Sequence, residues 1–166
     1  MKITCLGDSF TEGYLVNKNY TCFLKKAGFQ IKNLGINGNM TGQMLNRFPY
    51  DEKMDIFIVF GGTNDFYSGI SSNLAYTNIK SILEKAKAKL KIVIIPPYVE
   101  IEEAYPVYEM INNKIDDLGT RLINDGLNII DARLIEPQFL DGTHMGEKFH
   151  KDLAEKIIEK IKEFYV

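Results

Sequence analysis

Five strand-length apolar runs, alternating with helical segments, constrain this chain more than any other feature. The runs are KITCLG (2–7), FQIKNLG (29–35), MDIFIVFGG (54–62), KIVIIPP (91–97) and LNIIDA (127–132). Gly, Pro or Asp closes each of them, as expected where a strand gives way to a turn. The third and fourth are almost unbroken in apolar character, which suits strands covered on both faces. Between the runs, apolar residues return at helical spacing. Over 105–124 these are Val107, Ile111, Ile115, Leu118 and Leu122; over 71–90 they are Ala75, Ile79, Ile82, Leu83, Ala86 and Leu90. A last helix is predicted from Glu147, with Phe149, Leu153, Ile157, Ile161 and Phe164 on one face. Shorter helices are expected over 18–27, ending at Gly28, and over 41–48, opened by Thr41 and closed before Pro49.

Strict alternation of strand and helix favours an α/β fold of three layers, a parallel sheet with helices on both faces. The chain has 166 residues and no linker, repeat or low-complexity tract, so one domain over 1–166 is expected. The pattern alone leaves the strand order open. It does put the irregular stretches 61–72, 96–104 and 132–146 after strands, at the carboxyl ends where such sheets bind ligands.

Composition narrows the function classes. Hydrophobic residues make up 45%, charged residues 25% and the net charge is −2, so no basic face for nucleic acid or an anionic membrane stands out. The densest basic stretch, EKAKAKLK (84–91), reads as the end of a helix, where lysines oppose the negative end of the dipole. Cys5 and Cys22 are the only cysteines and both read as small core residues, which leaves no disulfide and no thiolate metal site. The first apolar run is too short for a signal peptide, and none approaches the roughly 18 apolar residues of a membrane span. A cytoplasmic protein is expected, with no cofactor, no metal, no nucleic-acid partner and no membrane insertion. Oligomeric state has no signature here.

Three polar clusters follow strands: GDS (7–9), GGTND (61–65) and DGTH (141–144). A parallel sheet brings them to one edge. A serine hydroxyl is a poor nucleophile until a base takes its proton, and the base in turn needs a carboxylate to orient it. Ser9, His144 and Asp141 are the candidates for these three roles. The oxyanion needs aimed N–H donors: the Ser9 backbone, a glycine after the second strand, and the Asn64 amide. Bland readings compete at each position. Ser9 and Asp141-Gly142 both suit turns, Thr143 suits a cap, and Asn64 suits a turn. His150 is the second histidine but lies within the last helical pattern. Asp8 and Asp65 read as loop braces. Absence of G-x-S-x-G, GxGxxG and P-loop motifs removes support for an α/β-hydrolase elbow, a dinucleotide site or an NTP site.

Taken together, GDSFTEGY, NLGINGNMTGQ (33–43), GGTND and DGTH resemble, in order and spacing, the four sequence blocks of the SGNH/GDSL hydrolase superfamily. The resemblance covers essentially the whole chain. It implies a five-stranded flavodoxin-like sheet and a small serine esterase or lipase. It also implies Ser9 as nucleophile, Asp141 and His144 as the rest of the triad, and Gly38 and Asn64 beside Ser9 as oxyanion donors. Gly35, nearer the strand, is the competing glycine. Met145 departs from the pattern, since proline often follows the histidine in that superfamily.

Aromatic residues in the loops after strands three and four are candidates to line the substrate pocket: Phe66, Tyr67 and Tyr98, with Tyr105 and Tyr108. Glu100, Glu102 and Glu103 form an acidic run that reads first as a solvated face. The expected partner is a small-molecule ester with a short acyl chain, including acetylated small molecules or sugars. A lipase or lysophospholipase of the same superfamily is the alternative within it. Outside it stand a flavodoxin-like flavin phosphate binder and an idle carbohydrate-binding relative.

Overall fold

In β3 (Lys53–Phe60), Ile56, Ile58 and Phe60 pack on one side of the sheet and Phe57 and Val59 on the other; all five are fully buried. That double burial is why the run reads as continuously apolar. The computed structural model describes residues 1–100 and 107–166. Its sheet also contains β1 (Lys2–Gly7), β2 (Gln30–Gly35), β4 (Lys87–Ile95) and β5 (Asn128–Asp131). All neighbours are parallel, in the order β2-β1-β3-β4-β5. This is the flavodoxin-like order.

Seven helices accompany the strands among the described residues. They are α1 (Ser9–Glu12), α2 (Tyr20–Lys26), α3 (Thr41–Arg47), α4 (Thr63–Tyr67), α5 (Ser72–Lys85), α6 (Val107–Asn124) and α7 (Glu147–Tyr165). On one face α2 and α7 bring Tyr20, Leu24, Phe149, Leu153 and Ile157 against Ile3, Ile58 and Ile92. On the other, α3, α5 and α6 bring Met44, Ile79, Ile82, Ile115 and Leu118 against Phe57, Val59 and Val93. Each such aliphatic side chain contributes about 1.5–3 kcal/mol through removal from water. The chain steps outward from β1 to β2, then crosses to β3 on the far side of β1. A crevice therefore opens outside the carboxyl ends of β1 and β3.

Four local expectations are corrected. The basic stretch 84–91 does not end a helix: α5 stops at Lys85 and β4 begins at Lys87. Leu83 stays in α5 and Ala86 caps it; Leu90 fits the same helical spacing, but KAKLK (87–91) also alternates at period two, and pairing with β3 selects the strand. Cys22 is exposed rather than in the core, because α2 buries Tyr20, Thr21 and Leu24 instead. Thr41 is the first residue of α3, not its cap, and its hydroxyl serves Asp65 across the crevice. Within the stretches read as irregular, residues 63–67 form α4 and Ala132–Leu134 form a 3-10 turn.

Candidate active site

The turn that follows β1 is built by Asp8. Its carboxylate accepts the Phe10 N–H at 3.1 Å and caps α1, so the helical turn starts at Ser9. The first N–H groups of a helix have no intrahelical acceptor, which leaves that of Ser9 available to a ligand. A Cβ at Gly7 would lie 2.1 Å from Thr11 Oγ1 and 2.7 Å from the Phe60 carbonyl, so only glycine lets the strand turn here. Asp8 is completely buried. Burial, followed by repulsion from Asp65, pushes its carboxyl up to about 7 against the Phe10 hydrogen bond.

On the opposite wall, residues 138–146 fold back on themselves. The Leu140 N–H donates to the His144 carbonyl at 2.8 Å and the Gly146 N–H to Gln138 at 2.7 Å. Met145 replaces the expected proline and is buried in the core, where it forms a bridge with Phe139. Inside this loop, one oxygen of Asp141 accepts the N–H groups of Thr143 (3.1 Å) and His144 (2.7 Å). Its other oxygen lies 2.7 Å from His144 Nδ1. A carboxylate can only accept, so the proton sits on Nδ1 and Nε2 is left to accept from Ser9 Oγ at 3.1 Å. Burial acts to raise the Asp141 carboxyl, but the hydrogen bonds from His144 and Thr143 outweigh it and hold it below its ordinary value. Ser9, His144 and Asp141 thus form one continuous chain of hydrogen bonds. Such a chain can move the serine proton to the imidazole and stabilise the imidazolium.

Asn64 reaches the same crevice from α4, at the end of β3. Its Nδ2 donates to Asp8 Oδ2 at 3.3 Å and to the Asn39 carbonyl at 3.2 Å. Gly38 lies one residue before Asn39 in the loop from β2 to α3, with φ +75 and open space where a Cβ would stand. Gly35 differs: a Cβ there would meet the Glu12 backbone nitrogen at 2.0 Å, so this glycine admits the close approach of β2 to α1. Asp65 does brace the loops, accepting the Thr41 N–H at 2.9 Å and the Thr41 hydroxyl. Asp8 does more than brace a turn, since it also receives the Asn64 amide.

His150 is buried beneath the site against Tyr20 and Phe10 and makes no hydrogen bond with Ser9; burial, then the neighbouring His144, pulls its imidazole down to about 4. Phe66 does not line a pocket: it is buried in the core on the α6 side. Tyr67 is at the rim, half exposed, with its hydroxyl 2.6 Å from Thr143 Oγ1. Tyr98 points away towards α6, donating to Asp116 at 2.5 Å. Tyr108 packs edge-on against Tyr67 with ring centres 6.4 Å apart. Glu100 donates its backbone N–H to the Gly142 carbonyl at 2.7 Å, while Glu102, Glu103 and Tyr105 lie outside the described residues. Tyr14 and Arg47 were not singled out by the sequence. The Tyr14 ring stands 4.9 Å from the His144 ring and is exposed, and its place two residues after Glu12 in the first block was the available signal.

A separate groove of about 570 Å³ opens at the amino ends of β1, β3 and β4, lined by Lys2, Lys53, Asp55, Lys87 and Lys89, far from Ser9. Lys2, Lys87 and Lys89 pair with Glu52, Asp51 and Asp55 respectively, and the groove presents no nucleophile. Among the described residues no group of three or more His, Cys, Asp or Glu side chains could hold a metal ion. No described helix is long and apolar enough to cross a membrane.

Residues 5–150 match the model of the GDSL-like lipase/acylhydrolase family. No curated protein matches the chain. Among solved structures, the aryl esterase of M. smegmatis is similar at TM-score 0.79 and 17% identity, over 98% of this chain and 99% of that one. A carbohydrate acetylesterase from Sinorhizobium meliloti is similar at TM-score 0.74 and 15% identity, over 98% of each chain. An acetylxylan esterase from Geobacillus stearothermophilus is similar at TM-score 0.75 and 16% identity, over 96% of this chain and 93% of that one. At such identities the shared feature is the fold, whereas the family match spans all four polar blocks and the crevice they form. This chain belongs to the GDSL-like lipase/acylhydrolase family, and is an ester-hydrolysing enzyme.

Proposed function

We propose that the chain cleaves carboxylic esters of short acyl chains through a Ser9-bound acyl-enzyme. The observation that carries this reading is the unbroken relay from Ser9 Oγ to His144 Nε2 (3.1 Å) and from His144 Nδ1 to Asp141 (2.7 Å). His144 accepts the hydroxyl proton as Ser9 Oγ attacks the ester carbonyl. Negative charge develops on the carbonyl oxygen, which the Ser9 N–H, the Gly38 N–H and the Asn64 amide would receive. The tetrahedral intermediate then breaks its bond to the alcohol, and His144 returns the proton to that leaving oxygen. Water, activated by the same imidazole, attacks the acyl-serine and releases the acid.

Acetylated small molecules or sugars are the substrates we favour. Similar folds include a carbohydrate acetylesterase and an acetylxylan esterase. Tyr14 stands against His144, the group that must protonate the departing alcohol, and Tyr67 lies at the rim beside Thr143, so a ring-bearing alcohol has aromatic surface to pack on. Of the other aromatic residues expected to line the pocket, Phe66 is buried, Tyr98 is held by Asp116 and Tyr108 packs edge-on against Tyr67.

Hydrolysis of p-nitrophenyl acetate by the wild type and by Ser9→Ala tests the reading. Turnover that disappears with Ser9 is the expected result. Equal rates in the two proteins, with no covalent labelling of Ser9 by an organophosphonate, would overturn it.

A further inference from the structure

Arg47, the last residue of α3, donates three hydrogen bonds into the floor of the crevice. Its Nε reaches Asn39 Oδ1 at 2.7 Å, and its Nη2 reaches the carbonyls of Gly7 at 3.0 Å and Leu34 at 2.7 Å. Each acceptor belongs to a different wall. Gly7 ends β1 and is two residues from Ser9; Leu34 lies at the end of β2; Asn39 follows Gly38 and offers its carbonyl to Asn64. The planar guanidinium, with donors in a rigid fork, is suited to hold three such acceptors at once.

From this geometry we infer that Arg47 is a positioning residue that fixes the three oxyanion donors relative to one another. It acts through the Asn39 loop and rests on the esterase reading above. Further anchors agree. The Ile36 N–H also donates to the Gly7 carbonyl at 3.1 Å, and the Met40 N–H donates to Gln43 Oε1 at 2.9 Å, pinning both ends of the loop. Between those ends the loop carries Gly38 with φ +75, a residue with no side chain to anchor it. At Asn39 the backbone N–H donates to the Ile36 carbonyl at 3.1 Å and Nδ2 to Gln43 Oε1 at 3.2 Å, and the Arg47 bond is the one that ties this residue to the ends of β1 and β2. Donors preorganised towards developing charge stabilise a transition state, and small misplacement costs rate without weakening ground-state binding.

The test compares kcat and KM for p-nitrophenyl acetate in wild type, Arg47→Met, Arg47→Lys and Asn39→Ala, each alone and with Asn64→Ala, alongside thermal melting. Arg47→Met is expected to lower kcat about 10- to 100-fold with KM within about twofold. Arg47→Lys, a point donor in place of a fork, recovers only part of the loss. In the Asn64→Ala background the same replacement should cost at least about threefold less than it does alone, because one of the three donors it positions is already gone. Should Arg47→Met fail to fold, Asn39→Ala carries the same expectation: it cuts the same link, together with the Asn39 Nδ2 bond to Gln43 Oε1 at 3.2 Å, while leaving the guanidinium on Gly7 and Leu34. Gln43→Ala, which removes the second bond and keeps the Arg47 link, serves as its control and should keep kcat within about threefold. An unchanged kcat in an active wild-type background, or losses that multiply fully with Asn64→Ala, overturns the role of Arg47 alone. A wild type that hydrolyses no ester overturns the esterase reading and this role with it.

Discussion

The Asn64 amide donates to the Asp8 carboxylate at 3.3 Å, one residue away from the candidate nucleophile. The same nitrogen donates to the Asn39 carbonyl at 3.2 Å, so both of its hydrogens are engaged at rest. In the mechanism we propose, an oxyanion arriving beside Ser9 takes over one of these bonds.

Asn64→Ala removes this donor while leaving Ser9, His144 and Asp141 in place. Loss of a single oxyanion donor lowers kcat by about 100-fold or more. Steady-state kinetics on p-nitrophenyl acetate should show that fall with little change in KM. A loss under about threefold would mean that the amide serves Asp8 and Asn39 only.

Asp8 should make the fold less stable as pH rises. Its carboxyl is pushed up to about 7 by burial and then by Asp65, so between about 4 and 7 the folded chain holds a proton that the unfolded chain has released. Stability from this group is complete below about 4 and is lost as pH rises through about 7. The shift corresponds to roughly 4 kcal/mol. Asp8→Asn abolishes the dependence, so its melting temperature should gain on that of the wild type across this window. Parallel melting curves from pH 4 to 7 would contradict the assignment.

His150 works in the opposite sense. Its imidazole is pulled down to about 4 by burial and then by His144, so as pH falls from about 6.5 the unfolded chain gains a proton first. That linkage removes roughly 3 kcal/mol of stability by pH 4. His150 Nδ1 has no hydrogen-bond partner, and the ring packs among Phe10, Tyr20 and Phe149. His150→Phe should therefore melt progressively higher than the wild type as pH is lowered from 6.5 to 4. With the two groups opposed, each variant unmasks the slope of the other.

Gly35 and Gly38 separate two uses of glycine. Gly35→Ala places a methyl 2.0 Å from the Glu12 nitrogen, backbone against backbone. It should cost about 3 kcal/mol or more, or prevent folding. Gly38→Ala meets no atom within 4 Å, and its penalty comes from φ +75. That costs about 1–2 kcal/mol. Chemical denaturation of both variants should rank them in this order.

Alternation of apolar runs made the strands legible, because a strand covered on both faces must be apolar throughout. Where two periods coincide, as over Lys87–Lys91, spacing could not choose between helix and strand. The β3 partner decided it. The residues of the candidate triad were legible because each falls in a short polar block, Ser9 just after β1 and Asp141 and His144 in the loop between β5 and α7. Arg47 was not, since one arginine closing a short helix has no periodic or motif signal.

Sequence alone determined the alternating α/β order, the four polar blocks and the residue types available for chemistry. These follow from side-chain hydropathy and local turn preference, which a chain expresses without its distant partners. Tertiary structure alone decided that β3 crosses to the far side of β1, opening the crevice where Ser9 meets His144. It also decided that Phe66 is core, Tyr67 is rim, and Arg47 ties three walls together. Those outcomes depend on contacts between segments far apart in sequence, and no local pattern encodes the distance between them.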